Sequence, residues 1–245
     1  MTPVIPELTV LLVSVPVVLF AGFIRGFTGF GGPLVLMPVL VLFLSPPSAA
    51  AIVLIIDICS NIGLLKDAFR SAAKRTVLFT VLSAVAAIPF GSYLMISVDP
   101  ANVRNLIYAA VGIAALILLT GVRSSRPFKS YELVAGGVGA GGVMGATALG
   151  ILIVPILFSM ADTARTARGN LIVWVFFVSI FLLGVLFFEN AVGQREFILG
   201  VGFAPIYLIG AVFGKNCFGQ LDEEVFRRWV LSFLMAISVA GLLFG

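Results

Sequence analysis

Histidine is absent from this 245-residue chain, and cysteine occurs only twice. Without histidine, catalytic triads built on imidazole are excluded. Cys59 lies inside an apolar run and Cys217 in a polar loop, so no disulfide joins them on this reading, and a zinc or haem site has almost no ligands to draw on. No cofactor and no metal are expected. Charge is equally scarce, at 11% of residues against 61% hydrophobic, whereas soluble domains carry about 25% charged residues. Water cannot solvate such a surface, so a lipid bilayer must cover much of it. No Lys or Arg precedes Arg25, and a secretory leader needs a basic start, so the apolar run from Leu8 is expected to be the first membrane element rather than a cleaved signal.

What is present is a series of long apolar runs. A spanning helix takes about 20 mostly apolar residues, and six segments meet that cleanly: approximately 49–65, 76–98, 103–121, 171–188, 197–214 and 229–245. Pro89 and Pro205 interrupt two of them, which membrane helices tolerate when neighbours satisfy the freed carbonyl. Residues 8–44 are apolar but broken by the stretch from Arg25 to Pro33, and residues 131–159 are broken by a glycine-rich stretch from Gly136 to Gly150. Each reads as two helices meeting at an irregular turn. The order is therefore broken pair, three spans, basic loop, broken pair, three spans, which is an internal repeat. Gly26, Gly29 and Pro38-Val39-Leu40 in the first half parallel Gly142, Gly145 and Pro155-Ile156-Leu157 in the second.

The basic residues test this segmentation. A pair plus three spans makes an odd number of crossings whether the pair counts as two or as none, so the two halves must lie inverted. With that topology, twelve of the fifteen Lys and Arg residues fall on one side, only Arg104 and Arg195 fall on the other, and Arg25 lies within the first pair. The rich side is the cytoplasmic one and both termini are external. The short basic tracts set orientation, so the net charge of +4 does not indicate nucleic acid. The expected fold is an all-α polytopic membrane protein of two inverted repeats, 1–121 and 131–245, joined by a cytoplasmic loop at 122–130. Each repeat is a broken pair plus three transmembrane helices.

Chemistry concentrates at the first break. The glycines of Gly26-Phe27-Thr28-Gly29-Phe30-Gly31-Gly32-Pro33 let backbone turn sharply or approach a ligand closely. Pro33 suits the first turn of a following helix, whose N–H groups favour an anion. Arg25 adds a full positive charge, and a charge within the membrane is functional by default. The competing reading is that the glycines serve helix packing and Arg25 reaches an interface. Asp57 is the acidic residue set deep in a plain span, with Ser60 and Asn61 on its helix face. It carries a coupling proton on one reading and forms a static ion pair with Arg25 on the other. At the second break Thr147 stands with Gly141, Gly142 and Gly145, and Asn170 enters the next span; Thr147 either faces a ligand or bonds a backbone carbonyl. No Gly-Lys-Ser/Thr follows these glycines, which rules out a nucleotide loop.

The stretch Gly26–Pro33 followed by Pro38-Val39-Leu40 resembles the first signature of the TauE/SafE-type sulfite exporter family. The counterpart, Gly142-Val143-Met144-Gly145-Ala146-Thr147-Ala148-Leu149-Gly150, is less dense in glycine than the family form. The resemblance covers essentially the whole chain, and it implies a bacterial inner-membrane permease that moves sulfite or small organosulfonate anions outward. Together with the residue reading it gives an alternating-access exporter of a small anion, and not an enzyme. Arg25, the Thr28, Gly29, Phe30, Gly31 and Gly32 backbone, Asn61, Thr147 and Asn170 are the binding candidates, and Asp57 is the charge or proton partner. The rivals are a passive anion channel, a permease for another small anion such as a carboxylate, an intramembrane enzyme, and a cation transporter. A homodimer is compatible with this reading, and nucleic acid is not.

Overall fold

The computed structural model describes residues 7–28, 31–120, 128–159, 163–217 and 223–244, and those residues hold helices and no strands. In chain order the helices are α1 (Glu7–Thr28), α2 (Gly32–Leu40), α3 (Pro46–Ile62), α4 (Leu65–Ser71), α5 (Lys74–Ser97) and α6 (Pro100–Thr120). Then follow α7 (Ser130–Thr147), a single 3-10 turn (Ile151–Ile153), α8 (Val154–Ser159), α9 (Ala164–Phe188), α10 (Gln194–Cys217) and α11 (Glu223–Phe244). Among the described residues four helices, α5, α6, α9 and α10, are long and apolar enough to cross a membrane, and α3 with α4, bent by 73° between them, is a broken span or a re-entrant loop.

Both expected breaks are present, but each is narrower than its glycine content suggests. α1 runs to Thr28, and α2 starts after Gly31, whose φ of 99° is a left-handed conformation that glycine adopts at no steric cost. Pro33 sits in the first turn of α2, where its missing N–H does no harm. In the second half the helix does not break at Gly136: α7 passes unbroken through all of its glycines and stops only at Thr147. There Ala148 takes a left-handed φ of 55°, unusual for a residue with a Cβ. The Thr147 hydroxyl supports that turn by donating to the Val143 carbonyl at 2.7 Å and accepting from the Leu149 N–H at 3.3 Å. The segment expected at 49–65 also ends early, at Ile62, because the chain turns at Gly63 and Leu64 into α4. At nine residues α2 is about 14 Å long, less than half the thickness of a bilayer core. Tyr108 on α6 donates to the Pro38 carbonyl in its last turn at 3.3 Å.

The glycines inside the helices do another job. A Cβ on Gly22 would strike the Tyr207 backbone and one on Gly26 the Ala211 backbone, while Gly210 and Gly214 admit the backbones of Leu19 and Phe23. The contacts advance together along both chains, so α1 and α10 run parallel in close apposition. In the same way Gly137 abuts Thr80, Gly141 abuts Ala84 and Gly145 abuts Ile88, which makes α7 and α5 a second parallel pair. Small residues four apart permit this approach in lipid, where packing rather than burial holds helices together. Around these pairs, α3 packs on α9 and α10, α5 on α9, and α6 on α11. α2 and residues 49–57 of α3 are buried at nearly every position and form the centre, whereas Phe90, Phe188 and Trp229 point outward. Gly141→Leu is expected to destabilise the detergent-solubilised protein by at least about 1–3 kcal/mol, the usual cost of overpacking. Gly139→Ala, where a Cβ meets open space inside a helix, is expected to leave the melting temperature unchanged or raise it slightly.

Candidate functional site

Arg25 lies in the last turn of α1, where a cation complements the negative end of the helix dipole. Its side chain turns inward to α3. Nη1 donates to Asp57 Oδ1 at 2.9 Å, and Nη2 donates to Asn61 Oδ1 at 2.6 Å. Asp57 and Asn61 are four residues apart and share a helix face, so one guanidinium reaches both. Asn61 is fully buried, and its own Nδ2 returns to the Asp57 carbonyl at 2.9 Å. That bond assigns the amide orientation and leaves Oδ1 for Arg25. The ion pair anticipated as one of two roles for Asp57 is therefore present, with side chains 13% and 6% exposed. Ser60 is turned to its own helix, donating to the Ile56 carbonyl at 2.6 Å. The buried Tyr207 of α10 stands beside the guanidinium, and its hydroxyl occupies the space that a Cβ on Gly32 would need.

A cavity of about 60 Å³ opens on this pair, room for a few water molecules or a small ion. Its wall brings the two breaks together: Gly31, Pro33 and Leu34 from the first, Ala148, Leu149, Gly150 and Ile151 from the second, with Arg25 and Asp57 between them. Met144, Val154 and three residues of α9, Leu171, Ile172 and Val175, complete it. The lining is otherwise apolar, so a charge inside is poorly screened and Arg25 acts at greater strength than it would in water.

The expected binding residues divide. Arg25, Asp57 and Gly31 line the cavity. Asn61 lies behind it and holds the guanidinium. Gly32 serves the packing of Tyr207. Thr147 holds the second break together through backbone bonds, and Gly141 and Gly145 pack against α5. Asn170, fully buried on α9, accepts from the Ala73 N–H at 2.7 Å and so ties α9 to the start of α5. Gly29, Phe30 and the Thr28 side chain fall outside the described residues. The expected row of bare amides at α2 also contracts: Pro33 has no N–H, and that of Leu34 is donated to the Gly31 carbonyl at 3.1 Å. The guanidinium is the principal cationic feature of the wall. Tyr207 was not singled out from sequence; the signal available was a phenol two residues beyond Pro205 inside an apolar run. Among the described residues no group of three His, Cys, Asp or Glu side chains is placed to hold a metal.

The family model described as sulfite exporter TauE/SafE matches residues 14–241, nearly the whole chain. No curated protein and no solved structure gives a significant match. The chain belongs to the sulfite exporter TauE/SafE family, a family of membrane transporters, and it is a multi-pass membrane protein.

Proposed function

We propose, with that membership as the premise, that the protein is a secondary transporter that exports a small anion, sulfite or an organosulfonate, by alternating access. The observation that carries this reading is the Arg25 guanidinium on the wall of an apolar cavity walled by both helix breaks. Broken helices meeting at a site are how transporters present charge-binding groups inside a bilayer. Residues 1–121 and 131–245 are inverted repeats on this reading, joined by 122–130. The helix pairings support it, because exchanging the halves maps the α1–α10 pair onto α7–α5, α3–α10 onto α9–α5, and α6–α11 and α3–α9 onto themselves. Rocking of one half against the other would open the cavity to each side in turn. On this reading the chain lies in the bacterial inner membrane, and the bias of its basic loops supports an orientation with both termini external.

The resting site is neutral, with Arg25 matched by Asp57. An incoming anion competes with the Asp57 carboxylate for the guanidinium and leaves an uncompensated negative charge in a poorly screened space. A proton taken up by Asp57 restores neutrality and frees Arg25, so anion and proton move together. Among the described residues, Asp57, Arg25 and Tyr207 are the titratable groups that meet at this point. Proteoliposomes loaded with sulfite test the proposal. A carrier shows saturating efflux, counterflow of external label, and proton movement in step with sulfite. Flux that rises without saturation and shows no counterflow identifies a channel instead, and saturation by carboxylates but not by sulfite or sulfonates moves the cargo to another anion.

A further inference from the structure

Two fully buried side chains on one face of α9 each carry an N–H donor without a partner among the described residues: Asn170 Nδ2 and Trp174 Nε1. They are four residues apart and therefore neighbours on the helix surface. Neither orphan is a matter of orientation. The Asn170 Oδ1 accepts from the Ala73 N–H at 2.7 Å, and turning the amide over would set donor against donor, so Nδ2 must be the free group. The indole nitrogen is a donor only. Buried polar groups are nearly always satisfied, and exceptions call for a missing partner. A water accepting from both would bring two hydrogens of its own that need acceptors. An anion that reached both would accept from each and bring no hydrogens of its own.

The position of this pair is informative. Asn170 sits where α9 meets the start of α5, beside the basic residues Lys74 and Arg75. One turn further along, the Trp174 ring packs against Gly150, where a Cβ would lie 2.7 Å from Cζ3. Gly150 belongs to the cavity wall, as do Leu171 and Val175 of the same helix. The donors thus lie between the basic face of the protein and the Arg25 cavity. We propose that Asn170 and Trp174 form a second station for the transported anion, an oxyanion of the sulfite or sulfonate class, occupied on its way between the basic side and Arg25. This rests on the transporter reading above.

The chain has two tryptophans, and Trp229 is 73% exposed on the outer surface, so Trp229→Phe leaves Trp174 as the sole indole reporter. Sulfite and methanesulfonate are titrated into this variant in detergent at constant ionic strength, with chloride as the control, while emission and melting temperature are both followed. The expected result is a saturable change in Trp174 emission with either oxyanion. Adding Asn170→Asp, which keeps the acceptor for Ala73 and replaces the donor by a carboxylate, is expected to weaken that response about tenfold or more, as loss of a hydrogen bond to a charged group implies. Thermal stabilisation by the oxyanions with silent emission overturns the station and leaves the Arg25 site standing. An emission response that Asn170→Asp does not weaken also overturns it. No stabilisation by any anion removes both the station and the transporter reading.

Discussion

The paired replacement Arg25→Met and Asp57→Leu is expected to leave a folded protein that no anion stabilises and that moves no sulfite. Removing one partner alone strands the other charge in a buried site, which typically costs about 3–5 kcal/mol. Arg25→Met by itself should therefore lower the melting temperature sharply, leaving Asp57 without its counter-charge and Asn61 Oδ1 without its donor. Replacing both charges by apolar groups removes most of that cost, because a buried pair exchanged for packed hydrophobic groups is often neutral in stability. The Asn61 oxygen and the Tyr207 hydroxyl then lose their guanidinium partner, at about 1–3 kcal/mol for each that stays unpaired. Melting curves of the single and double variants, with and without sulfite, separate a binding role for Arg25 from a structural one. A double variant that sulfite still stabilises removes Arg25 from the site.

Asp57→Asn is expected to act in the opposite direction on anion binding, although it too removes the counter-charge of a buried group and lowers the melting temperature. The amide keeps the size of the side chain and can still accept from Arg25, but it no longer neutralises the guanidinium and cannot take up a proton. Anion affinity should rise about tenfold or more, the range of a competing charge-assisted hydrogen bond, while proton movement coupled to transport disappears. Binding and coupling are then read separately: tighter stabilisation by sulfite in the thermal assay, and sulfite exchange that no longer responds to a pH gradient in liposomes. Weaker sulfite binding in this variant would show that Asp57 positions Arg25 for the anion rather than competing with it.

The long apolar helices were legible because lipid imposes a simple rule: apolar runs of sufficient length are helices. The meeting of Arg25 with Asp57 was legible as one of two alternatives, since intramembrane charges are few and a buried one needs a partner. The glycines misled. Gly137, Gly141 and Gly145 looked like part of a break, yet their spacing of four is that of a helix face seated on α5, and α7 continues through them. What ends α7 is a left-handed alanine held by Thr147, and nothing in that local sequence distinguishes it from ordinary helix. The place of Tyr207 is not written in its local sequence for a different reason. Its place beside Arg25 follows from the parallel register of α1 and α10, a long-range contact set by glycines on both helices. The sequence offers Asn170 as a ligand beside Thr147; its oxygen is bonded at the start of α5, and its Nδ2, free among the described residues, shares a helix face with a second unpaired donor, Trp174 Nε1.

Selenite offers the most direct trial of where the anion sits, because it shares the pyramidal oxyanion geometry of sulfite and carries a strong scatterer. In a structure of the selenite-soaked protein, the selenium is predicted between Gly31 and Gly150, with an oxygen within hydrogen-bonding distance of the Arg25 guanidinium and Asp57 displaced from it. Selenium bound elsewhere, with the Arg25–Asp57 bond intact and the cavity empty of the ion, would contradict the account.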